Sequence, residues 1–537
     1  MPDADHQPAA GSRRLSGFSV VSGLTLVSRI LGLGRDMLMA GLFGTGWVLD
    51  TFTLAFRIPG SFRRLFGEGA MTAAFLPRFV DEDRNVGRAA ASDLFSAMAW
   101  RLILWLGLVV TAAELGLLGV LLVWNLSDRS LLLVQLTMMM LPYSVLICLA
   151  ALHCAALNGI QHFLIPALLP VALNIVWLSG GLLAMLMMAT DADQVRMIAV
   201  SVIAGGGVQL GLAVLKTRQF EVRMSLGVIS PEVRQRVGRL FRQMGPVMFG
   251  LSITQFNAMI DSLLAWLLSQ PAQSLPNFLE PFRLAEGTTA AMYLGQRMFQ
   301  FPLGVFGIAL GTVLFPRFAR HIASSKTEEL GRDILHGLQL VLLVGIPASV
   351  GLWLMAEPLT DLLFRRGAFG VEDAQLTSRM IGAYGFGVWI SCGLLIVNRV
   401  FYAAGDQLSP ARQGLICVGL NVILDITLLP VLAETALPVA GVLAMLFQLG
   451  LALTLLHRRH LTAGYRACVP VLWRSVLAAA VMAGCCVMLQ RFLTGDDSTP
   501  GRLLRVAGPV GVSVGVYWTS LRLTGLTARR LLAEPFE

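Results

Sequence analysis

The chain has 537 residues, of which 56% are hydrophobic and 14% are charged, and its formal net charge is +9 at pH 7. This composition excludes an ordinary soluble protein and predicts an all-α polytopic membrane protein. The basic residues gather in short loops between apolar segments, so the positive charge does not indicate a nucleic-acid-binding module. The seven cysteines have no metal-ligand spacing, and we interpret them as small core residues.

The first two apolar segments carry charged residues where a membrane-spanning helix would hold them inside the bilayer. Arg29 and Asp36 lie seven residues apart in the first segment, and Asp50, Arg57 and Arg64 repeat this spacing in the second. Seven residues return to nearly the same helix face, so each segment predicts a helix with one polar stripe. Such a stripe fits a water-filled cavity or a neighbouring helix, because an arginine or aspartate at mid-bilayer costs about 2.5–3.5 kcal/mol. The alternative is that these charges pair with one another or reach the interface and only set the topology.

A proline, Pro59, interrupts the second stripe. It removes one main-chain donor and disfavours helical geometry at the residue before it. We therefore expect a kink or a break in the second helix at this point.

Apolar runs long enough for about 20 helical residues number fourteen along the chain. An even number places both termini on one side, and the arginine-rich loops favour the cytoplasm for that side. The segments are 17–43, 47–76, 94–124, 131–157, 163–189, 196–216, 243–268, 288–319, 333–356, 374–404, 411–432, 437–457, 470–493 and 503–523.

Short sequence echoes predict an internal repeat. The S-G-L-T run at 22–25 recurs as F-G-L-S at 249–252, and L-P-R-F at 76–79 recurs as F-P-R-F at 315–318. The spacing fits two six-helix lobes related by a pseudo-twofold axis, a common transporter plan with the substrate at the lobe interface. The predicted domains are a disordered cytoplasmic N-terminus (1–15), an N-lobe (16–220), a C-lobe (221–460) and two additional C-terminal helices with a short tail (461–537).

Three polar residues in the second half predict a cation site. Asn421 and Asp425 are four residues apart, so they share one face of segment eleven, and Asp261 lies in segment seven. No basic residue of these two segments lies nearby to neutralise the aspartates. Hard oxygen ligands of this kind suit a sodium ion, and the alternative is that the side chains only hydrogen-bond neighbouring helices.

The N-terminal motifs resemble the opening of the MurJ (MviN) lipid II flippase family. They are S-R-I-L-G-L-G-R-D at 28–36, D-T-F-T-L-A-F-R-I-P at 50–59, R-R-L-F-G-E-G-A at 63–70 and F-L-P-R-F at 75–79. The resemblance implies the fold of the MATE-like (MOP) flippase superfamily, with two six-helix lobes and two extra C-terminal helices. It also implies translocation of lipid II, a polyprenyl-pyrophosphate lipid, from the inner to the outer leaflet of the bacterial cytoplasmic membrane, with cell-wall synthesis or division proteins as partners.

The polar stripes and the resemblance together predict a cationic patch that binds the pyrophosphate. Arginine suits this task because its planar, permanently charged fork gives bidentate bonds to phosphate oxygens. Arg297 belongs to this patch in the second lobe, and Gln296 stands where the family commonly has an acidic residue. The predicted substrate-binding residues are Arg29, Arg35, Asp36, Asp50, Arg57, Arg63, Arg64, Glu68 and Arg297.

Other functions remain open at this stage. The chain has no Walker loop, zinc motif or nucleophile elbow, so the sequence predicts neither an enzyme nor a cofactor other than sodium. A membrane glycosyl- or phosphotransferase would need clustered acidic ligands, and we interpret the D-E-D run at 81–83 as a solvated helix end. The remaining transporter alternatives are a flippase for another lipid-linked oligosaccharide and a MATE-like cation-coupled exporter.

Overall fold

The structure, a computed structural model, describes residues 10–225, 230–459, 461, 464–493 and 498–525. Side chains are described for these residues except 10–19, 67, 68, 70, 72, 73, 246, 247, 251 and 274. Every regular element in the described ranges is helical, which confirms the predicted all-α class. The chain forms two compact units, one of Met1–Leu42 with Thr51–Ser252 (unit 1) and one of Phe43–Asp50 with Ile253–Glu537 (unit 2).

The helices of unit 1 follow the predicted apolar segments. Polar residues begin several of them, since Ser127 and Thr190 accept hydrogen bonds from main-chain N–H groups of the first turn. The helices are α1 (Ala10–Phe43), α2 (Trp47–Phe62), α3 (Leu76–Asn85), α4 (Arg88–Val123), α5 (Asp128–Gly159), α6 (Leu164–Met187), α7 (Asp191–Gln219) and α8 (Pro231–Leu268), the last of which continues into unit 2.

The expectation for Pro59 is a kink or a break, and the structure shows no break there. The α-helix continues through Pro59 to Phe62, and a π-helix then covers Arg63–Phe75 before α3 begins. The π-helix, which is wider than an α-helix, accommodates the proline, and the chain stays helical throughout. Because π-helical residues turn by a smaller angle than α-helical ones, the seven-residue spacing of the charges no longer defines one face beyond Phe62.

Close helix packing forms the core of unit 1. Helix α7 packs against α5 and α6, and small residues permit the approach. A Cβ added at Gly180 of α6 would lie 2.3 Å from the Cβ of Ser201 on α7. Two aromatic residues of α2, Phe52 and Phe56, make edge contacts with Trp177 of α6, which ties α2 to the same core.

Among the described residues of unit 2, the helices pack around hydrophobic clusters, and one of these clusters includes residues of the C-terminal helices. Tyr517 donates a hydrogen bond from its hydroxyl to the main-chain oxygen of Leu343 at 2.6 Å, within an apolar cluster. The helices are α9 (Thr288–Pro302), α10 (Ile308–Ala323), α11 (Thr327–Leu354), α12 (Ala356–Leu363), α13 (Val371–Gly385), α14 (Gly387–Ala403), α15 (Leu408–Leu432), α16 (Ala436–Arg458), α17 (Val469–Phe492) and α18 (Thr499–Leu523), with a short π-helix, Leu303–Gly307, between α9 and α10.

Eight helical stretches of the described chain are long and apolar enough to cross a membrane, and ten if each of two bent helix pairs is one span. One of the eight stretches, Leu408–Arg458, contains both α15 and α16. Large apolar side chains are exposed along them, as Leu104 and Leu122 are on α4. The polytopic class is therefore confirmed, while the number fourteen, the lobe boundaries and the cytoplasmic location of both termini remain predictions.

Candidate functional site

A cavity of about 300 Å³ in unit 1 contains one of the predicted arginines. Its wall comes from α1, from Asn158 near the end of α5, and from the start of α6. Arg29 and Ser28 supply polar groups from α1, while Phe163 and Pro166 supply apolar surface. Arg29 is exposed, and no hydrogen bond or ion pair to another residue of the described chain engages it. The cavity thus combines a permanent cation with an apolar wall.

Arg35, six residues further along α1, lies in a different environment. It is 5% exposed, and its Nη2 lies 2.7 Å from Asp36 Oδ1 in an ion pair. Its Nη1 donates to Asn174 Oδ1 on α6 at 3.3 Å, and its guanidinium carbon lies 4.3 Å from the centre of the Trp177 ring. Arg35 and Asp36, both predicted to bind substrate, therefore form a buried, bonded cluster on the inner side of α1.

The cluster is connected to the cavity wall through one amide. Asn174 Nδ2 donates to the main-chain oxygen of Ser28 at 3.0 Å, and Ser28 lines the cavity beside Arg29. The Asn174 amide therefore bonds both the Arg35 side chain and the α1 main chain next to Arg29.

The predicted arginines of the second segment are spread along the helix. Arg57 in α2 is 8% exposed and buried, whereas Arg63 at the start of the π-helix is exposed and Arg64 is half-buried. The side chain of Glu68 lies outside the described residues.

Asp50 lies in unit 2, where its carboxylate contacts main-chain N–H groups at the start of α9. It accepts hydrogen bonds from Gly287 N at 2.9 Å and Ala290 N at 2.7 Å. These donors belong to the positive end of the helix dipole, so the carboxylate acts as a cap. Gly287 has φ +87°, and a Cβ there would lie 1.8 Å from the main-chain oxygen of Thr45, so only glycine fits.

A second contact holds the same segment, Phe43–Asp50. The main-chain N–H and the hydroxyl of Thr45 both donate to Asp373 Oδ1 in the first turn of α13. The other carboxylate oxygen of Asp373 accepts a hydrogen bond from Gly370 N at 2.7 Å. Asp373 therefore joins the segment to the start of α13.

Arg297 lies on α9 of unit 2, six residues before the short π-helix begins. It is half-buried, and its guanidinium carbon lies 5.5 Å from the centre of the Tyr293 ring. The neighbouring Gln296 donates from Nε2 to the hydroxyl of Tyr384 at 3.1 Å. The Gln296 amide therefore bonds to α13. The family resemblance implies an acidic residue at this position.

The three residues of the predicted cation site come together in unit 2. Asn421 Nδ2 donates to Asp261 Oδ1 at 2.8 Å and to Asp425 Oδ2 at 3.0 Å. Asn257, one turn before Asp261 on α8, donates to Asp261 Oδ2 at 3.5 Å. Asp425 is fully buried, and Asn421 is 1% exposed. Gly441 of α16 borders the cluster, since a Cβ there would lie 3.7 Å from Asn421 Oδ1.

Several oxygens of this cluster lack donors. Within the described residues, the Oδ1 atoms of Asn257, Asn421 and Asp425 are buried and have no hydrogen-bond partner. Buried acceptors normally find a partner, because leaving one unsatisfied costs about 1–3 kcal/mol. The described residues contain no group of three or more histidine, cysteine or acidic side chains that could hold a metal ion. Two carboxylates with neutral amide oxygens are instead a donor set for a monovalent, oxygen-binding cation.

Sequence reasoning missed some residues of these sites. Asn174 and Trp177 are single polar or aromatic residues in an apolar segment, and no local pattern distinguishes them. Asn257 could have been found, because Asn257 and Asp261 repeat the four-residue spacing of Asn421 and Asp425.

Known proteins are similar in sequence to most of this chain. The family model described as "Lipid II flippase MurJ" matches residues 39–500. A "Probable lipid II flippase MurJ" from Rhizobium tropici is 32% identical over 523 residues, covering 95% of this chain and 94% of the relative. Another from Vibrio cholerae is 30% identical over 550 residues, covering 97% and 98%.

Solved structures agree on the architecture. A structure of lipid II flippase MurJ in an inward closed conformation matches with a TM-score of 0.74 at 19% identity, covering 95% of this chain and 99% of that one. A multidrug resistance MATE transporter in an inward-facing conformation matches with a TM-score of 0.62 at 10% identity, covering 82% and 97%. At these identities the likeness concerns the fold. By the family model and the curated relatives together, the chain belongs to the lipid II flippase MurJ family.

Proposed function

We propose that this chain carries lipid II, the polyprenyl-pyrophosphate-linked peptidoglycan precursor, from the inner to the outer leaflet of the bacterial cytoplasmic membrane. The observation that carries the proposal is the family match over residues 39–500, which includes the charged residues Asp50, Arg57 and Arg297. The chain acts as a transporter and breaks no bond of its substrate. Both termini lie in the cytoplasm, as the arginine-rich loops favour.

Phosphate recognition begins at Arg29. Its guanidinium is permanently charged, exposed, and set against an apolar wall in the unit 1 cavity. Its N–H groups can donate bidentate hydrogen bonds to pyrophosphate oxygens, while the apolar wall contacts the adjoining hydrocarbon of the lipid. Arg63, which is exposed, adds charge in unit 1, where Arg57, Arg64 and Glu68 complete the predicted set. Arg297 is the predicted phosphate-binding arginine of unit 2.

Arg35 and Asp36 support this site by position. Their bonds to one another and to Asn174 hold the α1 main chain at Ser28, beside Arg29. Asp50 has a related supporting role, because its carboxylate fixes the start of the helix that carries Arg297.

Alternating access requires two states of different affinity for the substrate. A ligand can shift such an equilibrium only by the difference between its affinities for the two states. We propose that a sodium ion bound by Asp261, Asn421 and Asp425 biases this equilibrium, and the unsatisfied oxygens of the cluster support that role. Occupancy of the cation site and affinity for lipid II are then linked reciprocally.

Depletion of the native flippase in a bacterium, followed by expression of this chain, tests the proposal. Growth and normal cell shape are the expected result, and lysis despite normal membrane insertion of the chain would contradict it. An Arg332→Ala variant is the matched control for Arg29→Ala, because Arg332 is exposed and bonded only at the surface. The control should grow and the Arg29 variant should not.

A MATE-like cation exporter is the second candidate, supported by the shared fold. Its cationic substrate would be repelled by Arg29, so lipid II remains the preferred substrate. Resistance to cationic drugs without rescue of growth would favour the exporter.

A further inference from the structure

The first part of α8, Pro231–Met244, is an amphipathic helix with a cationic outer face. Val237, Leu240 and Met244 are at most 4% exposed. At 100° per residue these three share one face, Arg239 and Arg242 fall on the opposite side of the helix, and Arg234 lies at the edge between the two sides. All three arginines are exposed.

Two contacts within unit 1 hold this helix in one orientation. Arg236, beside the buried face, forms an ion pair with Glu82 of α3 at 2.7 Å. The guanidinium carbon of Arg101 on α4 lies 5.2 Å from the centre of the Phe241 ring. These two contacts set the rotation of the helix about its own axis, so that its buried face packs within unit 1 and its outer face points away from it.

The outer arginines are available to an external partner. The described chain provides no ion pair or hydrogen bond to the side chains of Arg234, Arg239 or Arg242. The one acidic residue of the segment, Glu232, lies in its first turn. Three uncompensated positive charges on one face are complementary to an anionic surface.

The length of α8 places this face at the membrane boundary. The helix has 38 residues and bends by 45° between its two parts, Pro231–Gly250 and Ser252–Leu268. The second part alone is about 25 Å long, close to the thickness of the hydrocarbon core, which is about 30 Å. Its apolar part lies towards Leu268, so the segment Pro231–Met244 extends into the headgroup layer. A basic amphipathic helix in that layer attracts anionic lipids.

We propose that Arg234, Arg239 and Arg242 form a binding surface for the headgroups of anionic phospholipids. Guanidinium groups bind the lipid phosphates directly, while the buried face stays packed within unit 1. This surface is separate from the proposed flippase site, and neither Arg29 nor the oxygen cluster takes part in it.

A lipid-binding titration of the full chain tests the proposal. The variant Arg234→Gln, Arg239→Gln, Arg242→Gln is compared with the variant Arg320→Gln, Arg332→Gln, Arg458→Gln, which removes the same charge from exposed arginines of unit 2. Short-chain phosphatidylglycerol is added to each detergent-solubilised protein, and the bound lipid is counted by native mass spectrometry. Phosphatidylcholine serves as the neutral lipid.

The expected result is an apparent affinity for phosphatidylglycerol at least about tenfold lower in the α8 variant and within about twofold of the parent in the control. Changing the same α8 arginines to lysine should keep most of the affinity, which separates charge from misfolding. Glycerol phosphate at equal concentration should not compete, because a lipid held at the surface also gains from its chains.

Three outcomes would overturn the proposal: unchanged phosphatidylglycerol affinity in the α8 variant, equal losses in both variants, or full competition by glycerol phosphate. Rescue of the flippase-depleted bacterium is measured in parallel. Growth of the α8 variant with lost lipid binding supports a lipid surface distinct from the transport site.

Discussion

Asn174 accepts a hydrogen bond from the buried guanidinium of Arg35, and this is the contact through which α6 holds the charged part of α1. The same amide donates to the main-chain oxygen of Ser28. One uncharged side chain thus connects an internal ion pair with the wall of the cavity that contains Arg29.

We expect the substitution Asn174→Leu to destabilise the protein by about 2–3 kcal/mol. The leucine can neither accept a hydrogen bond from the buried Arg35 guanidinium nor donate one to the main-chain oxygen of Ser28. The midpoint of thermal unfolding measures the change. Asn158→Leu, in the cavity wall, is the control and should have a much smaller effect. Equal unfolding midpoints for the parent and Asn174→Leu would show that the hydrogen bonds of Asn174 do not stabilise the fold.

Arg29→Ala should abolish rescue of a flippase-depleted bacterium while leaving membrane insertion and thermal stability unchanged, because Arg29 is exposed and unbonded within the described chain. Arg29→Lys should rescue only partly, since an ammonium group lacks the planar fork. Immunoblotting of membranes and growth curves measure both properties. Full growth with lysine would mean that charge alone suffices.

Sodium should raise the thermal unfolding midpoint of the parent, because a ligand that binds only the folded state stabilises it. The variant Asp425→Ala should lose this response, and Asp193→Asn, an exposed acid on α7, should keep it. Choline replaces sodium at constant ionic strength. A parent that responds equally to both ions would leave the oxygen cluster without a role in coupling.

Asp50→Asn should destabilise the start of α9 by about 1–2 kcal/mol, because the capping acceptor loses its charge beside the positive end of the helix. Hydrogen exchange of the Gly287 and Ala290 amides should accelerate together. Asp128→Asn, an exposed acid in the first turn of α5, is the matched control and should alter exchange only locally. Unchanged protection of both amides would argue against the cap.

The carboxylate of Asp406 should make the free energy of unfolding depend on pH in the acid range. Burial alone would raise its pKa, but hydrogen bonds from Ser409 and Arg459 outweigh that effect and lower the pKa to about 2. The unfolded pKa is about 3.9, so the native state favours the charged form and gains stability above that pH. This gain is lost as the pH falls from about 4 through 2.

The measurement compares the parent with Asp406→Asn. The parent should have the higher unfolding midpoint at neutral pH, and the difference should shrink as the pH falls below 4. Asp128→Asn, at an exposed acid in the first turn of α5, provides the carboxylate control. A difference that stays constant from neutral pH to pH 3 would contradict the assignment.

Local patterns predicted the helices because apolar length and composition define a spanning segment. The four-residue spacing also predicted that Asn421 and Asp425 share one helix face, and the hydrogen bond between them confirms this prediction. Asp50 could not be assigned to α9 in this way, since its partners are main-chain groups 237 and 240 residues away. The role of Asn174 depends on the packing of α6 against α1, which no spacing within either helix encodes.

The position of Asp36 seven residues before the end of α1 is repeated by Asp261, seven residues before the end of α8. Each aspartate meets an asparagine from another helix of its own unit, Asn174 through Arg35 or Asn421 directly. In unit 1 the positive charge is part of the chain, so it cannot leave when the medium changes. In unit 2, on our proposal, sodium supplies it from solution. If that proposal holds, the positive charge is permanent in unit 1 and exchangeable in unit 2, so only unit 2 responds to the salt in the medium.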